Sequence, residues 1–297
     1  MQKKAIITLA FVLLVVLSAS AQLLWRVSGG SLERQSYLFG TMHQVNGNFI
    51  DSIKGLNDAI GHVDGVWVEI EDSQLNSKEA LSYLSSAMLA PADSTVDQFL
   101  SPAGIKIVKG VIDKYFGGLV SFDTFKKLKP AAIMTQIQVL QLIEIDKGIN
   151  LSNVNALLDA TVQTRARAAG KTINSLETLE FQARLLFGYP LREQAADLLE
   201  FCKADAVVLD KTAQLVKAYK HQDLGKIVEI MQDPEMGGDA QEMERMVYSR
   251  NRNWVKTLVP VMQQGSVLVA VGAGHLPGDN GLIALLRKAG YTVEPVQ

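Results

Sequence analysis

GSVLVAVGAGHLPGDNGLIALLRKAGYTVEPV, residues 265–296, decides how this chain folds. The apolar run VLVAVG stops at Gly272, a glycine-rich loop follows, and DNGLIALLRKAG then has helical spacing before the β-prone YTVEPV. The apolar run is strand-like and ends where the glycine-rich loop begins. A β-α-β order over so few residues fits a parallel pair inside one sheet.

The other end of the chain supplies more of that sheet. LLWRVSG (residues 23–29) and SYLFG (residues 36–40) read as a hairpin joined by the polar turn GSLERQ. FIDSIKGLNDAIGHV (residues 49–63) has apolar residues at helical spacing, and GVWVEIE (residues 65–71) follows as a strand. From about residue 76 to 235 the pattern changes to amphipathic helices, interrupted by one strand in KTINSLET (residues 171–178). The expected fold class is α/β, a central sheet built from both chain ends, flanked by helices, with a large helical middle region. No repeat or linker divides it, so residues 22–297 are expected to form a single domain with a helical insertion.

Residues 1–21 stand apart. A basic start, the apolar core AIITLAFVLLVVL and the small residues Ala19-Ser20-Ala21 have the layout of a secretory signal peptide cleaved after Ala21. The apolar core is shorter than the roughly 20 residues needed to span a bilayer. The expectation is a protein without a stable membrane span after cleavage, periplasmic or secreted. A net charge of −2 gives no reason to expect nucleic acid or an anionic membrane as partner. Cys202 is the single cysteine, so no intramolecular disulfide forms, and its setting, DLLEFCKADAVV, is that of a buried structural thiol.

The chemistry gathers at strand ends. Of four histidines, His43 and His275 each stand three residues after a glycine that terminates an apolar run, in GTMH and GAGH. Loops at the C-terminal ends of strands are where open α/β sheets hold ligands. Glycines at such breaks let the backbone turn sharply. Glu69 ends GVWVEI and Glu177 ends TINSLET, so two imidazoles and at least one carboxylate are expected along one sheet edge. That donor set suits a divalent ion, which activates water and polarises a carbonyl. Each residue also has a plainer reading: a hydrogen-bonded histidine at a strand end, or an outward polar residue at Glu69. His62 and His221 read as surface residues. The glycines of VGAGHLPGDNG are spaced G-x-G-x-x-x-G rather than as a dinucleotide fingerprint, and no G-x-S-x-G, P-loop or H-E-x-x-H occurs.

With these residues in view the chain resembles the TraB/GumN family, which includes the Tiki metalloproteases and is related to the erythromycin esterase and ChaN-like folds. The resemblance runs through LLWRVSG, SYLFGTMH, GVWVEIE, GKTINSLETLEFQ, SRNRNW and the terminal VLVAVGAGHLPGDNG. It implies a metal site at His43, His275 and Glu69, with manganese, cobalt or zinc as the ion. Glu69 is then ligand or base, Glu177 a supporting acid or base, and Arg252, of the Arg-Asn pair, either a group that neutralises a carboxylate or stabilises an oxyanion or part of an ion pair on a helix surface. The expected function is an exported metal-dependent hydrolase, a peptidase acting on a peptide or small-molecule substrate. The alternative is a non-catalytic peptide-, saccharide- or haem-binding protein on the same scaffold.

Overall fold

The computed structural model describes residues 22–43, 45–146, 157–233, 236 and 239–296. The expected signal peptide, residues 1–21, lies outside the described residues.

Six strands form one mixed sheet: β1 (Leu24–Ser28), β2 (Ser36–Thr41), β3 (Gly65–Val68), β4 (Thr172–Ser175), β5 (Val267–Gly272) and β6 (Thr292–Pro295), in the order β4-β3-β5-β2-β1-β6. β1 runs antiparallel to β2 and to β6, and the remaining neighbours are parallel. The hairpin is as expected, and Gly29 and Gly30 take positive φ in its turn, a conformation that costs most other residues energy. β5 is central, and Val267 to Val271 are all buried, which accounts for its unbroken apolar run.

The short β-α-β unit differs from expectation in one respect. β5 and β6 share the sheet and its direction, but β2 and β1 lie between them. β2 already pairs with β5 from Tyr37 opposite Leu268 to Thr41 opposite Gly272. The free edge for β6 is therefore the far side of β1.

The helices are α1 (Leu56–His62), α2 (Asp72–Leu75), α3 (Lys78–Met88), α4 (Pro102–Phe116), α5 (Phe122–Phe125), α6 (Pro130–Ile145), α7 (Leu158–Ala168), α8 (Leu179–Phe187), α9 (Leu191–Lys203), α10 (Asp205–Lys220), α11 (Leu224–Met231), α12 (Ala240–Met243), α13 (Ser249–Gln264) and α14 (Leu282–Lys288). The helical middle has an apolar cluster of its own, where Val108 and Ile112 of α4, Ile133 and Ile137 of α6, and Leu198 and Cys202 of α9 meet. Cys202 is the buried thiol expected, and burial pushes its pKa up to about 12. The sheet packs a larger cluster that includes Trp254 and Leu258 of α13. Among the described residues no helix is long and apolar enough to cross a membrane.

Two features set up the site. β2, β3, β4 and β5 point the same way, so the segments leaving them emerge along one edge. On that edge a π-helical turn, Glu244–Tyr248, sits between α12 and α13 and brings the start of α13 against it. Such turns recur at functional positions.

Candidate functional site

The ladder between β3 and β4 continues past both strands. Leu176 N–H donates to Val68 O at 2.8 Å and Glu177 N–H to Glu69 O at 3.0 Å, which sets the two glutamates side by side. Arg250 enters from α13 and bridges them. Its Nη2 donates to Glu69 Oε2 at 2.6 Å and to Glu177 Oε2 at 2.7 Å, and its Nε donates to Glu177 Oε1 at 2.8 Å. Nη1 donates to Met246 O at 2.9 Å and faces His275 Nε2 at 3.2 Å. A guanidinium has five N–H donors, and all five are engaged.

Glu177 is equally saturated. Trp254 Nε1 adds a hydrogen bond to its Oε1 at 3.0 Å, and Gln182 Nε2 adds one to its Oε2 at 3.0 Å. With four hydrogen bonds on two oxygens, all its acceptor positions are taken. Glu69 is different. Its Oε2 accepts from Arg250 and from Gln182, but its Oε1 accepts a hydrogen bond only from Gly272 N–H, at 2.9 Å. One acceptor position on Oε1 is left, and Glu69 lines a cavity of about 350 Å³ together with Thr41, His43, Asp159 and Gln182.

His275 is buried against Trp254, with ring centroids 4.4 Å apart. Asn251 fixes its tautomer. The Asn251 amide nitrogen donates to His275 O at 3.1 Å and to Asn280 O at 2.9 Å, so its Oδ1 is the acceptor facing His275 Nδ1 at 2.7 Å. The proton is therefore on Nδ1, and Nε2 accepts from Arg250. His275 Nε2 lies 3.9 Å from Glu69 Oε1.

His43 stands at the cavity with its side chain 68% exposed, its Nδ1 3.0 Å from Asp159 Oδ2. The charge of Asp159, on the first turn of α7, pushes the His43 pKa up, and solvent screens that pull. The structure thus brings His43, Glu69, Glu177 and His275 to one edge. It does not bring Arg252 there. Arg252 lies on the exposed face of α13, ion-paired with Glu244, and the arginine of the site is Arg250. Two residues along a helix are about 200° apart in rotation, so the two arginines face opposite ways. Nor is oxyanion stabilisation open to Arg250, since no N–H is free. Asn251, Trp254, Gln182 and Asp159 were not singled out from the sequence. The SRNRNW and LEFQ segments contain three of them, but spacing alone does not say which side chains turn inward. His62 and His221 are exposed, each with Nδ1 on a carbonyl of its own helix.

The two motif glycines are needed for space rather than for turning. Neither has a positive φ. A Cβ on Gly40 would come within 3.0 Å of Ala273 Cα in the second Gly-x-x-His segment, and one on Gly272 within 3.3 Å of Glu69 Oε1. The two motifs therefore pack on each other.

Does this donor set fit a divalent ion? Among the described residues no three His, Cys, Asp or Glu side chains are grouped to hold one. His275 has both ring nitrogens engaged, and the Arg250 guanidinium stands beside it. On the cavity side the chemistry does fit. Glu69 Oε1 has a free acceptor position, His43 is exposed, and Asp159 Oδ2 is buried without a hydrogen bond. Arg250 neutralises only one of the two glutamates, so the edge keeps an excess of negative charge.

The electrostatics also set acid stability. Burial opposes the charge on Glu69, yet His275, Arg250, His43 and the Gly272 N–H together hold its pKa down to about 2. Burial lowers that of His275 to about 4. Both groups bind fewer protons folded than unfolded, so both favour the fold at neutral pH. The His275 contribution is lost as pH falls from about 6.5 to 4, and that of Glu69 from about 4.5 to 2. Urea unfolding at pH 7 and pH 4.5 is expected to show the midpoint falling at the lower pH, with a smaller fall in His275→Gln.

A sequence model of the TraB/PrgY/gumN family matches residues 23–295. The chain is 22% identical over 316 residues to a protein named metalloprotease TIKI homolog from Amphimedon queenslandica, covering 91% of this chain and 60% of that one. It is 22% identical over 307 residues to metalloprotease TIKI1 of Danio rerio (87% and 60%) and 23% identical over 320 residues to metalloprotease TIKI2 of Danio rerio (91% and 60%). The chain thus spans about three-fifths of the length of these curated relatives. No solved structure matches it.

Proposed function

The chain belongs to the TraB/PrgY/gumN family, and from that membership we propose that it is a metal-dependent hydrolase of peptide bonds, exported from the cell, whose reaction takes place in the cavity at the sheet edge. One observation carries the reading. Both Gly-x-x-His segments and Glu69 converge on that edge, and Glu69 Oε1 retains an acceptor position where it lines the cavity. The names of the relatives support metal dependence and proteolysis.

In this reading His43 and Glu69 hold the ion. A bound divalent ion supplies Lewis-acid polarisation of a carbonyl and a more acidic water. Glu69 remains anionic across the physiological range, so it acts as a fixed negative acceptor that holds a cation or orients a water proton. It is not an acid that gives up a proton near neutrality. His275 is better placed as a support than as a ligand. Its neutral ring accepts from Arg250 and helps keep that guanidinium against the glutamates. Arg250 and Glu177 are the buried frame that aims Glu69.

The experiment is cleavage of a fluorogenic peptide library by purified protein freed of metal and then supplied with manganese, cobalt or zinc. Turnover that appears with the ion and disappears in His43→Ala supports the proposal. Peptide binding without turnover under every ion sinks it and favours the non-catalytic reading. Turnover that persists with a chelator and no bound ion removes the metal while keeping the hydrolase.

A further inference from the structure

Asp159 belongs to no motif and no resemblance, yet it faces the first Gly-x-x-His segment at two points. Its Oδ1 accepts from Thr41 Oγ1 at 2.6 Å, and its Oδ2 lies 3.0 Å from His43 Nδ1. The two oxygens differ sharply in their satisfaction. Oδ2 is shut off from water and takes no hydrogen bond, because its contact with His43 is close but out of line. A buried carboxylate oxygen without a donor is costly, and the imidazole Nδ1 is the group at hand to supply one.

We propose that Asp159 is a positioning residue for His43. It fixes the imidazole as the Nδ1–H tautomer and so presents Nε2 to the cavity as the nitrogen that binds the metal ion. A ligating histidine commonly donates its other ring N–H to a carboxylate, which orients the ring and makes the bound nitrogen more basic. Contacts that are loose in a free site tighten when the ligand arrives. The out-of-line Asp159–His43 contact is of that kind, and engagement of Nε2 turns the ring until Nδ1–H points at Oδ2. Thr41, the last residue of β2, holds the other carboxylate oxygen and stops it swinging away.

The contrast with His275 gives the assignment its weight. Asn251 selects the same tautomer there, but Nε2 then accepts from Arg250. Of the two motif histidines, His43 is the one whose Nε2 has no hydrogen-bond partner among the described residues. The matching motifs thus have different work: one histidine braces the arginine, and the other meets the ion.

This inference rests on the metal-dependent reading of the same cavity, and its test separates the two. Zinc and manganese chloride are titrated calorimetrically into the full chain and its Asp159→Asn, Asp159→Glu and Thr41→Val variants. Asp159→Asn is expected to weaken zinc binding about 10- to 100-fold. Thr41→Val weakens it less, and Asp159→Glu recovers part of the loss. Nitrogen NMR of histidine-labelled protein, with signals assigned through His43→Gln, reads the tautomer directly. The zinc-bound wild type shows the proton on Nδ1 and zinc on Nε2. The zinc-free ring, recorded above its raised pKa, keeps the Nδ1–H form, and Asp159→Asn moves it toward the Nε2–H form. A merely structural role for Asp159 would not move the tautomer.

Unchanged zinc affinity in folded Asp159→Asn overturns the inference, as does zinc bound through Nδ1 or a wild type that binds neither ion. Should Asp159→Asn not fold, the wild-type tautomer and the Thr41→Val titration still decide. Zinc held through Nε2 without any peptide hydrolysis leaves the positioning role standing and removes the proposed activity. Hydrolysis without bound metal removes the positioning role and the metal together and keeps only the hydrolase.

Discussion

Replacing Arg250 with methionine lowers the free energy of unfolding by about 3–5 kcal/mol, measured by urea denaturation at pH 7. The substitution keeps most of the side-chain bulk and removes the charge. Glu69 and Glu177 are then left side by side and buried, with no cation between them. The loss also strips Met246 O and His275 Nε2 of their donor. Lysine does not rescue it. An ammonium has three donors where the site uses five, and it lacks the planar fork that meets two carboxylates at once. The neighbouring Arg252→Ala, which removes an exposed pair with Glu244, changes stability by less than about 1 kcal/mol. If Arg250→Met unfolds at the wild-type midpoint, the buried cluster is not what ties α13 to the sheet.

Glu69→Gln is expected to reduce peptide turnover by about 10²- to 10⁴-fold in a chain that still folds, with its urea midpoint at neutral pH lowered because the stabilising carboxylate charge is gone. The two effects part because of the charge count. With Glu69 neutral, Arg250 and Glu177 still balance each other, so no buried charge is stranded. The carboxamide keeps an oxygen for Gln182 or Arg250, but the anionic Oε1 at the cavity is gone. Thermal unfolding, circular dichroism and the rate on a cleavable peptide separate stability from chemistry. A variant that is well folded and fully active would exclude Glu69 from the reaction.

The sheet was legible because its strands differ from their surroundings in a property that sequence records directly. VLVAVG is a continuous apolar run that stops at a glycine, and its position covered on both faces accounts for that pattern. Strand adjacency was not legible to the same degree. The pattern of YTVEPV does not say whether it pairs with β5 or reaches past the hairpin to β1. At the site, strand-end positions are set by chain direction, and His43, Glu69, Glu177 and His275 all emerge on the expected edge. SRNRN holds two arginines, and rotation about α13, entered through a π turn, decides that Arg250 faces in while Arg252 forms the helix-surface ion pair. Asp159 was invisible for another reason. It meets His43 from a helix 116 positions along the chain, and an aspartate at a helix start is otherwise an ordinary favourable charge.

The central place of β5 has a consequence for the order in which the protein is made. A ribosome releases β1, β2 and β3 long before β5, yet β5 is the partner that joins β2 to β3. Until it appears, the hairpin and β3 each expose an unpaired edge, and the two halves of the pocket belong to separate pieces of chain. Such long-range pairing forms late and slowly. A chain released before β5 therefore cannot assemble the cavity, whose lining includes Thr41 of β2, Val68 of β3 and Ala270 of β5.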